Sequence, residues 1–158
     1  MINADYQSLN SIQRVLLFEA LEASRNAYNP YSGFYVGAAL WSEKITVSGS
    51  NVENAAYGST ICAERAAILR ANAMGYRCFD KLAVIGRGST FNCEEVVSPC
   101  GSCRQMLFEL TQISGRDIEV IMSNTMMDKV VIASINELLP LAFGPRDLGI
   151  NIGNFATS

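Results

Sequence analysis

Between Leu9 and Ala27 apolar residues return at three- and four-residue steps, at Leu9, Ile12, Leu16, Ala20, Ala23 and Ala27. That spacing predicts an amphipathic helix with one buried stripe, stopping before Asn29-Pro30 because the residue before a proline is held out of the helical region. The period then changes. "FYVGAALW" (34–41) and "ITVSGS" (45–50) are rich in strand formers and separated by Ser42, Glu43 and Lys44, which predicts a hairpin. "NVENAAYGSTI" (51–61) is too polar and Gly-bearing for regular structure and reads as a loop. "CAERAAILRANAM" (62–74) predicts a helix capped by Gly75. "KLAVIGR" (81–87) predicts a buried strand, 88–98 a loop, and 100–113 a second helix with Met106, Leu107 and Leu110 among its apolar positions. "DIEVIMS" and "KVVIAS" follow as strands and "INELLP" as a short last helix. Strands alternating with helices after a hairpin imply an α/β fold, a central mixed β-sheet with helices on its faces.

Composition narrows what such a fold can do. A chain of 158 residues with 49% apolar content makes one domain, 1–158, with no linker or internal repeat; residues 1–10 and 149–158 are expected to be terminal extensions. No charged leader with an apolar stretch and cleavage site is present, and no apolar run reaches about eighteen residues, so the expectation is a soluble, unprocessed cytoplasmic protein with no membrane partner. Five cysteines are an odd number, which favours reduced thiols over a disulfide framework. A net charge of -3 with the 12 basic residues scattered leaves no footprint for a nucleic-acid partner. There is no histidine. That excludes Ser-His-Asp and Cys-His catalysis and every imidazole metal site, so a proton carrier must be a carboxylate, Lys, Tyr or Cys.

The candidate chemistry lies in "SPCGSCRQ" (98–105) and in Cys62. Crossovers in a parallel sheet are right-handed, so helices that follow neighbouring strands start at the same sheet edge, beyond the strands' carboxyl ends, and Cys62 opening one helix and Cys100 and Cys103 opening the next are expected to converge. Pro99 suits a helix start, and the partial positive charge at a helix N-terminus lowers a thiol's pKa. Three thiolates with an open fourth position form a catalytic zinc site. Cys93, seven residues before Cys100, is the alternative fourth ligand, which would close the site and make it structural. A redox Cys-x-x-Cys pair remains an alternative, though it leaves Cys62 unexplained. Cys78, beside Phe79, reads as a small buried hydrophobe. Glu64 lies two residues past Cys62, where it can serve as proton shuttle or as an ordinary acid at a helix start. Arg65 offers donors to the thiolates, offsetting three ligand charges that exceed the metal's by one, or is a solvated surface arginine.

"CAER" followed by "PCGSC" resembles the signature of the zinc-dependent cytidine deaminases, in their small form with three cysteine ligands. "NPYSGFYVGAAL" (29–40), "NVENAAYG" (51–58), "CAERAAI" (62–68), "SPCGSCRQ" (98–105) and "ELLPLAFGPRDL" (137–148) occur in that family's order. The resemblance implies a three-layer α/β/α sandwich, a homotetramer with pockets shared between subunits, one Zn2+ per subunit, and deamination of cytidine and deoxycytidine in pyrimidine salvage. It further implies that Cys62, Cys100 and Cys103 bind zinc and that Glu64 carries protons from water to ring N3 and then to the departing amino group. Asn51 and Glu53 would hold the sugar hydroxyl, Phe34 would stack on the pyrimidine and the Ala63 backbone would touch the base. Ala55, Tyr57 and Phe143 would reach a neighbouring subunit's pocket. Phe34 on pattern alone reads equally as a core residue, and Glu53 as the holder of its own loop. Tyr35 and Arg146 depart from the family's pattern, which bears on the pocket wall and the carboxyl-terminal contacts. Ile150, Ile152 and Phe155 alternate like a strand or an intersubunit strap. A deaminase of a bulkier cytosine compound such as blasticidin S is the nearest alternative, though "NVEN" favours an ordinary ribose. A non-catalytic zinc-stabilised protein would need neither Glu64 nor the hydroxyl-binding pair.

Overall fold

The structure, a computed structural model, describes residues 1–156; Thr157 and Ser158 of the expected carboxyl-terminal extension lie outside them. These residues build a six-stranded sheet from β1 (Ile2–Ala4), β2 (Phe34–Trp41), β3 (Thr46–Ser50), β4 (Lys81–Gly88), β5 (Glu119–Ser123) and β6 (Val130–Ser134). Its order is β1-β6-β5-β4-β2-β3. Only β4 and β5 pair in parallel; the other four pairings are antiparallel, so the sheet is mixed as expected. Helices α1 (Ser11–Ser24), α2 (Ala63–Ala73), α3 (Gly101–Ser114) and α4 (Ile135–Leu138) cover it.

The two faces follow from the strands' period of two. Ala38, Leu40, Val47, Leu82, Val84, Val120 and Met122 face one way and pack with Ala63, Ala67, Ile68 and Ala71 of α2 and Leu107 and Leu110 of α3. Ala39, Ala83, Ile85 and Ile121 face the other way, against Leu16, Leu17 and Ala20 of α1. The result is a three-layer α/β/α sandwich. Two glycines allow its close packing. A Cβ on Gly37 would sit 1.8 Å from the Ala20 carbonyl oxygen, and one on Gly49 would meet Ala67 N at 2.5 Å and Ala63 O at 2.7 Å. Gly49 therefore lets the first turn of α2 lie directly on β3.

Several boundaries differ from the sequence reading. α1 starts at Ser11 because Asn10 caps it, its side chain accepting from Gln13 N at 3.0 Å while the Gln13 side chain accepts from Asn10 N at 3.0 Å. The helix ends at Ser24; Ala27 continues the apolar spacing but already belongs to the turn that leads to Tyr28. Residues 2–4 form an edge strand against β6, which three residues without alternation did not announce. The tail is not a strand. Gly153–Phe155 make a single 3-10 turn, and Phe155 O accepts from Arg77 Nη1 at 3.2 Å. Among the described residues no helix is long and apolar enough to cross a membrane.

Candidate active site

One edge of the sheet collects the site. β3 and β4 run in the same direction with β2 antiparallel between them, so the end of β3, the end of β4 and the start of β2 all meet there. The strands that precede α2 and α3 are thus not neighbours, as the sequence reading had them, yet both helices start at this edge. Cys62 is the N-cap of α2 and Cys100 the N-cap of α3, with Cys103 one turn in and fully buried. Neither N-cap side chain accepts from the backbone of its own helix. Both are left to face each other.

The Sγ atoms of Cys62 and Cys100 are 3.9 Å apart, those of Cys100 and Cys103 3.4 Å, and all three lie within 4.8 Å of one another. Tetrahedral zinc with Zn–S bonds of about 2.3 Å holds its sulfurs roughly 3.8 Å apart, so the donor set fits that ion. Cys93 is not part of the cluster. Its N–H donates to Thr125 Oγ1 at 2.8 Å and its carbonyl accepts from Thr125 N at 3.3 Å, which ties it to the turn after β5.

The electrostatics of the thiols suit a cation. Hydrogen bonding from the Cys103 thiol, then from Cys100, together with the Arg65 charge, brings the Cys62 thiol down to about 6 against the cost of its burial. The opposite shift falls on Cys103, whose pKa is pushed up by its hydrogen bond to Cys62, by burial and by Glu64. The thiolate is favoured at Cys62; a dication would hold the sulfurs in their charged form. Arg65 makes no hydrogen bond to the thiolates: its Nε is buried without a partner, and its influence on Cys62 is through charge. Glu64 is 3% exposed. Burial first, with the neighbouring Cys62 charge added, raises its carboxyl to about 7, opposed by its backbone hydrogen bond, the Cys103 thiol and Arg65. Ala63, between the two, is fully buried at the first position of α2.

Phe34 begins β2 on the face shared with α2 and α3. Its ring comes within 3.3 Å of where a Gly86 Cβ would be and lies 6.5 Å from the Phe91 ring. Tyr35 points to the opposite face, where the Arg87 guanidinium lies 4.5 Å over its ring, so it does not wall the side on which Phe34 stands. Asn51 is buried and bridges to β2, its Nδ2 donating to Phe34 O at 2.8 Å and its Oδ1 accepting from Val36 N at 2.9 Å. Glu53 pairs with no basic residue. Its carboxylate accepts from Tyr31 N at 2.9 Å, Ser32 N at 3.1 Å and the Ser32 hydroxyl, and these contacts lower its pKa from the ordinary carboxylate value, the hydroxyl contributing most.

An opening of about 380 Å³ is lined by Tyr31, Ser32, Glu53, Tyr57 and Thr60. Tyr57 is 74% exposed, its ring edge-on to Tyr31 at 5.8 Å, and Ala55 is exposed beside it. Phe143 is set apart from this group. Its side chain is 62% exposed and its carbonyl accepts from Gln105 Nε2 at 2.8 Å. Arg146 lies farther along in the turn Pro145–Leu148. The sequence reading passed over Ser32, although a serine two residues before a strand, accepting from the Phe34 N–H, is a recognisable turn signal.

Residues 10–115 match the family described as the cytidine and deoxycytidylate deaminase zinc-binding region. A cytidine deaminase of Halalkalibacterium halodurans is 39% identical over 137 residues, which are 86% of this chain and 97% of that protein. One from Sporosarcina psychrophila is 42% identical over 134 residues, covering 84% and 92% of the two chains. The crystal structure of the Burkholderia pseudomallei cytidine deaminase superposes with a TM-score of 0.74 at 40% identity, over 85% of this chain and all of that one. A three-layer fold, a cluster of three cysteines at two helix starts and likeness along most of the chain agree: this protein belongs to the cytidine and deoxycytidylate deaminase family.

Proposed function

We propose that the protein hydrolyses cytidine and deoxycytidine at C4, releasing ammonia and leaving uridine and deoxyuridine. What carries the reading is the convergence of the Cys62, Cys100 and Cys103 sulfurs at two helix starts, with the buried Glu64 carboxyl two residues past Cys62. Cys62, Cys100 and Cys103 would hold zinc, which would supply a water made nucleophilic near neutral pH. Glu64 takes a proton from that water and delivers it to ring N3, which makes C4 electrophilic. Once the C4–O bond has formed, the same carboxylate takes the remaining proton of the new C4 hydroxyl and gives it to the amino group, so that C4=O forms as the C4–N bond breaks and ammonia leaves. Burial raises this carboxyl's proton affinity, the direction required of a group that must take a proton as well as give one.

The remaining residues orient the nucleoside. Phe34 stacks on the pyrimidine and the Ala63 backbone meets the base. Asn51 and Glu53 hold the sugar: after its two contacts to β2 the Asn51 amide keeps one N–H free, and the Glu53 carboxylate keeps a lone pair. Arg65 balances the thiolate charge. The active form is a cytoplasmic homotetramer in pyrimidine salvage, in which Ala55, Tyr57 and Phe143 reach the pocket of a neighbouring copy; the exposure of all three in the single chain supports this.

The test is an ultraviolet assay of the purified protein with cytidine, deoxycytidine and free cytosine. Both nucleosides should be converted and cytosine rejected, because a free base leaves the sugar-side acceptors unpaired. Equal turnover of cytosine would overturn the assignment of Asn51 and Glu53.

A further inference from the structure

We infer that Ser32 is the positioning residue that couples the sugar side of the pocket to its base side. The inference rests on the proposed roles of Glu53 and Phe34.

A serine hydroxyl has one hydrogen and two lone pairs. In this chain the hydrogen goes to Glu53 Oε1, and one lone pair accepts from Phe34 N at 3.0 Å. The N–H groups of Tyr31 and Ser32 both donate to Glu53 Oε2. A carboxylate offers about four acceptor positions, and three are thereby filled. The single position left is on Oε1, and the direction in which it points is set by Ser32. Without that contact only Oε2 is held, by the two N–H groups, and two acceptor positions instead of one stand open on Oε1.

The same hydroxyl fixes the start of β2. Phe34 O accepts from Asn51 Nδ2, and Asn51 Oδ1 accepts from Val36 N, which makes one hydrogen-bonded path from Glu53 through Ser32 and Phe34 to Asn51. Ring and carboxylate, carried on segments about twenty residues apart, are thus held in register by one hydroxyl whose hydrogen and one lone pair are both engaged within the chain. Removing it loosens recognition of the sugar while leaving the proton carrier, on another element, in place.

The test compares kcat/KM for cytidine and 3′-deoxycytidine in the zinc-loaded parent, Ser32→Ala, Ser32→Thr and Glu53→Gln. The parent should favour cytidine by about tenfold or more, the worth of a hydrogen bond to a charged acceptor. Ser32→Ala should shrink that ratio by about fivefold or more through KM, with kcat for cytidine within about threefold of the parent, and Ser32→Thr should restore the ratio. A ratio that survives in Ser32→Ala while Glu53→Gln loses it overturns the inference alone. A parent that turns over cytidine without discriminating overturns the sugar assignment, and the inference with it. Should Ser32→Ala not fold, Ser32→Cys decides: its weaker donor in nearly the same volume must give a ratio between those of parent and Glu53→Gln, and a parental ratio there refutes the coupling.

Discussion

Glu64 is a carboxyl buried to 3% exposure in the first turn of a helix, beside three thiols and one arginine, and burial gives it a proton affinity near neutrality. The account assigns it proton transfer and no part in holding the metal. Glu64→Gln keeps the shape and removes the base, so zinc content should persist while kcat falls at least about a hundredfold, as parallel metal analysis and turnover would show. Cys93 gives the complementary test. Its carbonyl and N–H are engaged with Thr125 and it stands outside the sulfur cluster, so Cys93→Ser should retain zinc, whereas serine at position 62, 100 or 103 should lose it. Loss of zinc from Cys93→Ser would mean a closed, structural site. The sulfur cluster was legible because its spacing and helix starts are local features. The dual engagement of Ser32 was not, since its partner Glu53 lies on a separate loop and nothing in the chain's local pattern records that contact.

The strands and helices around the site were readable where a period ran for several residues, as in β2, β4, α2 and α3, and unreadable where it did not. β1 has three residues and owes its form to β6, while the apolar spacing through Ala27 outlasts α1, which ends at Ser24. The glycine contacts make the positions of the helices testable. At Gly49 a Cβ would press on the backbone of Ala63 and Ala67, which cannot yield as a flexible side chain would. Gly49→Ala should destabilise the protein by about 1–3 kcal/mol and weaken zinc retention, because the turn that must move carries Cys62. Gly58, in the loop before α2, has open space where a Cβ would go, so Gly58→Ala should stay within about 0.5 kcal/mol of the parent. Thermal unfolding of the two, with and without added zinc, checks the contrast, and equal stability would show that α2 does not lie as close to β3 as described.

Across the molecule, one edge of the sheet gathers the groups to which the proposed chemistry is assigned: two helix starts with their thiols, a carboxyl two residues past Cys62, and the strand end that carries Phe34. Sequence order alone could not give the strand order that does this, since β2 comes between β3 and β4 through long-range pairing. Removing the metal should be felt globally as well as at the site. The uncompensated thiols would draw their protons back, and the link between α2 and α3 would be lost. Chelator-treated protein should therefore unfold at a lower temperature and recover when zinc returns. The most direct test of the whole account follows cytidine with the same preparation in three states: zinc-loaded, stripped by chelator and reloaded. The account predicts uridine and ammonia in equal amounts from the loaded protein, none from the stripped one, and recovery at about one zinc per chain. Turnover undiminished by complete removal of zinc, or a zinc-loaded protein that leaves cytidine unchanged, would contradict it.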